Sequence, residues 1–269
     1  MSKEPILSVH DLTIFLERQA CMPVNEIVKK VSFNVFPGKV LGVLGSSGTG
    51  KTMTCHAIMN LLKKPIFATG SIQYKGTEIL NLPDKEMRKI RGSEMALVMQ
   101  NPHSSLNPVI TIGSHMVETL RAHQSISRKE AKKLSLHYLE KVGFEHADDI
   151  FKQYPFQLSG GMLQRVLIAI ALMLQPSIMI TDEPTSALDK VTQTHILNLL
   201  EKFKHEYDMS ILLVSHDFDV ISRLADEVIV VHDGMVVEKG PLLKVLNQPQ
   251  HAFTRSLIEA SSRLKRGVK

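Results

Sequence analysis

Short apolar segments, rich in Val and Ile and bounded by turn residues, recur along the chain. Such segments are typical of buried strands. The four clearest lie at residues 40–44, 178–181, 211–215 and 228–231. Longer stretches with helical spacing separate them, and this alternation predicts an α/β fold with a parallel sheet covered by helices.

The two ends of the chain carry a different pattern. Apolar and polar residues alternate over 6–15 and 31–36, which predicts an N-terminal antiparallel β subdomain. Near the other end, Asp233-Gly234 separates two apolar segments, and this dipeptide is typical of a hairpin turn. Beyond it, over about 240–269, we predict a C-terminal helical extension.

The middle of the chain lacks strong strand signals and contains one clear helix. Ser127 and Glu130 form a capping box before it, and Gly143 provides a stop. The apolar positions that fall on one face of this helix are Ala131, Leu134, Tyr138 and Val142. We therefore predict a helical subdomain at about 102–165, inserted into the core.

Length and composition exclude several classes of protein. The 269 residues, 43% of them apolar, are enough to bury one large core, and the amounts of Gly and Pro exclude low-complexity structure. The longest apolar run, 166–174, is far shorter than the roughly 18 residues that span a bilayer, and the N-terminus does not resemble a signal peptide. Cys21 and Cys55 form no Cys-x-x-Cys pair, which excludes a disulfide framework and favours a reducing cytoplasm.

The formal net charge of +5 is concentrated at the C-terminus. The positive charges in the last seven residues are Arg263, Lys265, Arg266 and Lys269. A basic tail can touch anionic lipid or nucleic acid, but a solvated terminus is the commoner explanation. We assign the tail no function and expect no nucleic-acid partner.

The first candidate for chemistry is a glycine-rich loop between a predicted strand and a predicted helix through Ala57, Ile58 and Leu61. Its residues, which match the phosphate-binding pattern G-x-x-x-x-G-K-[ST], are Gly45, Ser46, Ser47, Gly48, Thr49, Gly50, Lys51 and Thr52. Glycines let backbone N–H groups curl around phosphate oxygens, and the helix N-terminus adds roughly half a positive charge. Lys51 would reach the β- and γ-phosphates, and the Thr52 hydroxyl would bind Mg²⁺. An accidental match is expected in only about one chain of this length in a hundred, so we predict nucleotide binding.

The second candidate is a pair of carboxylates, Asp182 and Glu183, at the end of the predicted strand 178–181. In open α/β sheets, ligands bind at the carboxyl ends of the strands. Asp182 is positioned to hold Mg²⁺ through its water shell, and Glu183 to polarise an attacking water. Such a pair alone is more often a helix cap, but beside a phosphate loop it predicts nucleotide hydrolysis.

Together with these motifs, further segments resemble the ATP-binding cassette (ABC) family over nearly the whole chain. Residues 158–162, Leu-Ser-Gly-Gly-Met, are similar to the family's signature motif and open a predicted helix near Met162. Residues 186–189, Ser-Ala-Leu-Asp, resemble the loop that follows the acidic pair. Gln100 and His216 stand where the family has its glutamine sensor of Mg²⁺ and water and its switch histidine.

The resemblance implies a P-loop NTPase core and a single nucleotide-binding domain over 1–269 that takes ATP and Mg²⁺. The implied catalytic residues are Glu183, His216 and Gln100. The implied metal-binding residues are Thr52, Gln100 and Asp182. The signature of one cassette faces the phosphate loop of another in this family, so the residues implied to contact a second copy's nucleotide are Ser159, Gly160 and Gly161.

Two departures from the family pattern matter. Ahead of the phosphate loop, where the family usually has an aromatic residue that stacks on adenine, this chain has only Met22 and, further off, Phe15. The adenine contact is therefore unassigned. Met162 replaces the Gln that commonly ends the signature, which removes any hydrogen bond from that side chain.

Narrower features resemble the peptide and nickel importer group of the family. They are Gln-Asn-Pro at 100–102, Ser-Leu-Asn-Pro at 105–108, Tyr-Pro-Phe-Gln at 154–157 and His-Ala-Phe-Thr at 251–254. Met-Leu-Gln-Arg at 162–165 looks most like the nickel importer ATPases, which favours import of nickel, cobalt or a metal–chelator complex over dipeptide or oligopeptide import. The resemblance implies a bacterial importer with a second, related ATPase subunit, two membrane permeases and an extracellular binding protein. The chain would then lie at the cytoplasmic face of the membrane.

Two other classes of ABC protein are disfavoured, and the identity of the paired subunit stays open. A DNA-repair cassette would carry a long heptad insertion between phosphate loop and signature, and a translation-associated ATPase would carry two cassettes; this chain shows neither. Pairing with an identical copy and pairing with a related chain both remain possible. His115 and Glu118 suggest a metal site on a predicted helix, but two ligands do not close one.

Overall fold

Two β-sheets of different design organise the structure. The computed structural model describes residues 4–17 and 25–266, with side chains up to residue 261. The described strands are β1 (Leu7–Leu16), β2 (Asn25–Val35), β3 (Val40–Gly45), β4 (Ile66–Tyr74), β5 (Thr77–Glu78), β6 (Met95–Val98), β7 (Ile178–Asp182), β8 (Ser210–Ser215), β9 (Glu227–His232) and β10 (Met235–Pro241). The described α-helices are α1 (Lys51–Ile58), α2 (Asp84–Ile90), α3 (Pro102–Ser105), α4 (Ile112–His123), α5 (Arg128–Lys141), α6 (Ala147–Lys152), α7 (Gly160–Leu172), α8 (Lys190–Tyr207), α9 (Phe218–Leu224), α10 (Leu242–Asn247) and α11 (Ala252–Arg266).

The larger sheet has six strands in the order β10-β9-β3-β8-β7-β6. All of its strands run parallel except β10, which pairs antiparallel with β9 at one edge. The turn between them has a φ of +48° at Asp233 and +78° at Gly234, the geometry that best joins two twisted strands. The smaller sheet, in the order β2-β1-β4-β5, is antiparallel throughout. The predicted α/β fold with a parallel core and an N-terminal antiparallel sheet is confirmed.

Residues of the parallel sheet alternate between two buried cores. In β3, Val40 and Leu44 face a core built largely from helices, whereas Leu41 and Val43 face the antiparallel sheet and α1. Successive side chains of a strand point to opposite faces, so a strand covered on both sides must be apolar throughout. This two-sided burial explains the unbroken Val and Ile segments that predict the core strands.

The region between β6 and β7 is helical. The predicted helix is α5, and its capping box forms: the Glu130 N–H donates to Ser127 Oγ at 3.2 Å, and the Ser127 N–H donates to Glu130 Oε2 at 2.9 Å. The structure gives bounds to α4, the helix predicted to carry His115 and Glu118, and adds α3 and α6, which the sequence does not predict as separate helices. α3 and α6 are short, and α4 is capped only by Thr111, whose Oγ1 accepts a hydrogen bond from the Ser114 N–H.

The structure differs from the predicted elements at four places. β2 begins at Asn25, six residues before the predicted strand at 31–36. α1 ends at Ile58, because Asn60 takes a left-handed φ of +50°, so Leu61 lies outside the helix. α7 begins at Gly160 rather than near Met162, because the side chain of Ser159 caps it. The residues of β4, β5 and β6 are not predicted as strands from their sequence pattern. β5 and β6 have two and four residues, too few for a periodic pattern to be recognised.

Some predictions fall on residues that the structure does not describe. Cys21, Met22 and the side chains of the basic tail lie outside the described residues. Within 4–17 and 25–266, none of the helices combines the length and apolarity needed to cross a membrane.

Candidate functional site

The loop between β3 and α1 has a shape that its glycines permit. Gly50 has a φ of +90°, and a Cβ there would lie 2.5 Å from Val28 Cγ2. A Cβ on Gly45 would lie 2.4 Å from the carbonyl oxygen of Val231. Within the loop, Thr49 Oγ1 donates to the Ser46 carbonyl at 2.9 Å. The backbone therefore turns tightly against neighbouring strands, and larger side chains at these glycines would force it open.

Lys51, the first residue of α1, folds back over this loop. Its Nζ donates to the carbonyl oxygens of Gly45 and Ser46, both at 2.8 Å. Burial lowers the pKa of Lys51, and the carboxylates of Glu183 and Asp182 act against that shift. The chain thus holds a buried ammonium group inside a loop of backbone dipoles.

Asp182, the last residue of β7, is a buried carboxylate that is only partly satisfied. It is 2% exposed, and its Oδ1 has no hydrogen-bond partner among the residues that the structure describes. Burial raises the pKa of Asp182, while a hydrogen bond from the Thr52 side chain lowers it. A buried anionic oxygen without a partner is costly, and a cation beside it would relieve that cost.

Glu183 is fixed by its backbone and by its side chain. Its φ of +52° lies in the left-handed region, which costs a residue with a side chain about 1 kcal/mol or more. Its N–H donates to the Val214 carbonyl at 2.9 Å. Glu183 Oε1 accepts a hydrogen bond from the His216 N–H at 2.9 Å, and Oε2 lies 2.8 Å from His216 Nδ1. Strain of this kind persists where surrounding contacts hold it, and it clusters at functional sites.

Gln100 lies just beyond β6, at the same edge of the sheet as the ends of β7 and β8. Its Nε2 donates to Ser186 Oγ at 3.4 Å, and Ser186 Oγ donates to the Glu183 carbonyl at 3.3 Å. Gln100 is therefore connected to the acidic residues through Ser186.

A cavity of about 340 Å³ opens between these groups. The predicted residues that line it are Ser47, Gly48, Gly50, Lys51, Thr52, Gln100, Glu183 and His216. Outside the signature segment, the predicted residues that do not line it are Gly45, Ser46 and Thr49, which shape the loop, and Asp182, which is buried next to Thr52. Loop, acidic pair, glutamine and histidine thus meet where parallel strands end, the usual ligand position in open α/β sheets.

Two residues that the sequence analysis gives no role also line this cavity, Ile27 of β2 and Met53 of α1. No motif singles out Ile27, because it reaches the cavity from the antiparallel sheet. Met53 follows the phosphate pattern directly, and its position in the first turn of α1 was the available signal.

The signature segment lies apart from the cavity of its own chain. Ser159 is exposed and caps α7 by accepting a hydrogen bond from the Met162 N–H at 3.3 Å. A Cβ on Gly161 would lie 2.4 Å from Thr192 Cγ2, so this glycine lets α7 approach α8 closely. Ser159, Gly160 and Gly161 are not among the described residues that line the cavity. The segment presents a helix N-terminus, an anion-favouring geometry, at a different surface.

At the alternative metal position on α4, His115 makes a contact with the protein backbone. The ring Nε2 of His115 lies 3.1 Å from the Asn107 carbonyl oxygen. Across the described part of the chain, no group of three or more His, Cys, Asp or Glu side chains is placed to hold a metal ion.

Comparison with known proteins connects this geometry to one family. The family model described as "ABC transporter" matches residues 28–186, more than half of the chain. CntD, the ATP-binding protein of a metal-staphylopine import system of Staphylococcus aureus, is 38% identical over 238 residues, which cover 88% of each chain. The dipeptide transport ATP-binding protein DppD of Bacillus subtilis is 39% identical over 264 residues, covering 97% of this chain and 78% of that protein.

A solved structure agrees in fold. The ATP-binding cassette MJ0796, described as a dimer in a post-hydrolysis state bound to ADP and Pi, superimposes with a TM-score of 0.77 at 28% identity. The match covers 88% of this chain and 98% of that one. From the family match, the identities to curated relatives and the shared fold, we conclude that this chain belongs to the ABC transporter family and is an ATP-hydrolysing domain of that family.

Proposed function

We propose that this chain is the ATPase subunit of an importer that takes up nickel, cobalt or a metal–chelator complex. The observation that carries the ATPase role is the cavity in which Lys51, Glu183 and His216 meet. Import of a chelated metal is supported by the 38% identity to a subunit named for metal-staphylopine import and by the Met-Leu-Gln-Arg sequence at 162–165.

In the proposed reaction, the glycine-rich loop binds the phosphates of ATP through its backbone N–H groups and Lys51 binds the terminal phosphates. Glu183 accepts a proton from the attacking water, and His216 contacts the γ-phosphate. The hydrogen bonds between Glu183 and His216 support this division, because they fix the carboxylate and the imidazole against one another. Neither side chain then needs to reorganise when the reaction begins.

The residues present fit a magnesium ion. The unpartnered Oδ1 of buried Asp182 and the neighbouring Thr52 hydroxyl are hard oxygen donors, which Mg²⁺ prefers. We propose that Thr52, Asp182 and Gln100 hold the ion, the last two through water. When bound, Mg²⁺ would neutralise negative charge on the phosphates.

We further propose that turnover requires a second cassette. Ser159, Gly160 and Gly161 would close over the nucleotide of the partner, and the partner's signature would close over this chain's cavity. Their separation from the cavity of their own chain supports this arrangement. ATP would favour the closed pair because its γ-phosphate touches both sides, and hydrolysis would reopen it. The partner is proposed to be a related ATPase subunit.

The remaining proposed partners are two permeases and an extracellular binding protein, with this chain at the cytoplasmic face of the membrane. A groove of about 520 Å³ beside Gln100 supports permease docking. Its walls come from β6, α4, α7 and the end of α3 with the residue that follows it, and include Leu97, Leu106, His115, Leu167 and Ile170. A short permease helix in this groove would sense movement of the glutamine segment.

Peptide import is the second candidate. It is favoured by the 39% identity to the dipeptide transport protein DppD and by 38% identity over 264 residues to the oligopeptide transport protein AmiE of Streptococcus pneumoniae. The transported molecule does not contact this subunit in the proposed complex, so the ATPase residues are compatible with either cargo.

Uptake into cells that carry the complete transporter tests the proposal. Cells with the wild-type chain should accumulate labelled nickel or cobalt, alone or with a chelator, and cells with the Glu183→Gln chain should not. Accumulation of a labelled dipeptide instead would transfer the assignment to peptide import. Equal uptake of all cargos by both strains would contradict an importer role.

A further inference from the structure

The motif at 251–254 anchors the start of α11 to the edge of the parallel sheet. Glu238 of β10 accepts hydrogen bonds from the N–H groups of Gln250 at 2.8 Å and His251 at 3.0 Å. His251 Nδ1 in turn accepts a hydrogen bond from the Phe253 N–H at 3.2 Å. The first turn of α11 is thereby fixed relative to the β9–β10 hairpin.

Phe253 extends this anchor to the tip of the hairpin. Its ring stacks on His232, the last residue of β9, with centroids 4.0 Å apart and an interplanar angle of 20°. The turn at Asp233-Gly234 follows immediately. The position of α11 therefore fixes the position of the turn.

That turn supports a wall of the nucleotide cavity. The Gly234 carbonyl accepts a hydrogen bond from the Lys29 N–H at 2.7 Å, and a Cβ on Gly234 would lie 2.6 Å from the Ile27 carbonyl oxygen. Ile27 lines the cavity, and its carbonyl oxygen lies 3.0 Å from where a Cβ on Gly50 would be. A continuous series of contacts thus connects Phe253 to the part of the cavity wall that Ile27 forms.

Further along α11, Ser261 contacts α9, the helix that begins next to the cavity-lining His216. Ser261 Oγ donates to Asp219 Oδ1 at 2.9 Å, and Asp219 lies in the first turn of α9. The Asp219 N–H donates to Oδ1 of Asp217, the N-cap of α9, at 2.8 Å. Asp217 directly follows His216, so Ser261 holds the helix that begins beside this cavity-lining histidine.

One rigid element therefore joins two walls of the site. Eight residues separate Phe253 from Ser261, a helical rise of about 12 Å. Between them, Leu257 packs against the hydrophobic core, which holds the helix in place. We propose that α11 is a brace for the nucleotide site, in which Phe253 positions the Ile27 wall and Ser261 positions His216. The proposal rests on the ATPase function proposed above, and both residues act as positioning residues.

The two ends of the brace should have different kinetic effects. Phe253→Ala frees the hairpin, so we expect the dissociation constant and KM for ATP to rise about threefold to tenfold while kcat changes by less than about twofold. Ser261→Ala frees the start of α9, so we expect kcat to fall about threefold to tenfold with KM nearly unchanged. If the two residues only stabilised the fold, both variants would have a lower Tm, but Phe253→Ala would not act mainly on KM and Ser261→Ala would not act mainly on kcat.

Matched variants on the same helix provide the controls. Ser256→Ala removes a hydroxyl that donates to the Phe253 carbonyl within the helix, and should leave kcat and KM at wild-type values. Phe253→Tyr keeps the stacked ring and should restore wild-type affinity. If Phe253→Ala fails to fold, Phe253→Leu, which keeps apolar bulk but no ring, should still weaken ATP binding.

The measurements are ATP titration of the full-length chain and steady-state hydrolysis with its paired subunit. The brace is overturned if Ser261→Ala matches Ser256→Ala in kcat, or if Phe253→Ala and Phe253→Leu both bind ATP like the wild type. A wild-type chain that binds no ATP would instead contradict the proposed function.

Discussion

Two glycine-rich turns in this molecule open helices with very different surroundings. The loop before α1 encloses its own Lys51, whose Nζ is held at 2.8 Å from two loop carbonyls, and it lines a cavity completed by Glu183 and His216. The turn before α7 leaves Ser159 exposed and lies outside that cavity. The first turn therefore lines a cavity of its own chain, whereas the second lies on a different surface and lines no part of that cavity.

The glycines in the two turns serve different physical ends. Position 50 requires glycine because its φ is +90°, a conformation that gives the predicted phosphate loop its shape. Position 161 requires glycine for a different reason, because Thr192 of α8 leaves no room for a Cβ. Gly161 therefore lets the signature turn pack closely against α8.

The largest expected effect comes from Glu183. Glu183→Gln keeps an oxygen that can accept the His216 N–H bond but removes the base, so turnover should fall by about a hundredfold or more while ATP affinity stays within about threefold. ATP should then hold the paired subunits closed, which size-exclusion chromatography detects. Glu201→Gln, an exposed change on α8, should behave as the wild type. Wild-type hydrolysis by Glu183→Gln would remove this residue from the chemistry.

Lys51→Ala should act at the earlier step. It removes the cation of the phosphate loop, so the dissociation constant for ATP should rise about tenfold to a hundredfold in a direct titration. The expected contrast with Glu183→Gln is loss of binding rather than loss of turnover. Undiminished affinity would refute the assignment of Lys51.

Ser159→Arg tests the other turn. It should leave ATP binding to this chain's own loop unchanged but slow turnover about tenfold at the site that the signature faces, because an arginine there obstructs the closing surface. Ser127→Arg is the matched control, since Ser127 is also a helix N-cap and each change should cost about 1 kcal/mol of stability. If Ser127→Arg slows turnover equally, the effect is one of stability and the comparison between the two turns fails.

The smallest expected effect concerns stability. Burial raises the pKa of Asp182, so the folded state favours the protonated carboxyl. The fold therefore loses stability as the pH rises from the ordinary pKa of an aspartate through that raised pKa, and the loss is complete above it. Asp182→Asn should therefore raise the Tm of the nucleotide-free chain by roughly 2 °C or more at pH 8, and the gain should shrink as the pH is lowered toward the ordinary pKa of an aspartate. It should also abolish any Mg²⁺-dependent gain in ATP affinity. A lower Tm at pH 8 would contradict the account of Asp182 as a costly buried anion.

The sequence alone predicts the parts of this fold that obey simple periodic rules. Core strands such as β3 are apolar on both faces, and the capping box of α5 is local, so both can be recognised without tertiary contacts. β6 has four residues, and α4 starts at a single threonine cap. β6 is too short for a periodic pattern, and a single cap leaves the start of α4 undefined, although a helix is predicted at His115 and Glu118.

The candidate site divides in the same way. The phosphate loop is one continuous segment of the chain, and so is the acidic pair, so each pattern indicates its chemistry directly from the sequence. Ile27 reaches the cavity from another sheet, and Gln100 connects to Glu183 through Ser186, a partner 86 residues away in the chain. Contacts of this kind arise only when separate elements pack together.

The central claim is that one chain supplies only part of each ATP-hydrolysing site and needs a second cassette to complete it. The most direct test measures hydrolysis as a function of subunit pairing. ATPase rate per chain should be recorded over a wide concentration range, alone and with the paired subunit, while light scattering reports the oligomeric state. We expect almost no turnover from the monomer and a rate that rises with the fraction of paired chains. Full turnover by a verified monomer, with no second cassette able to join it, would contradict the account.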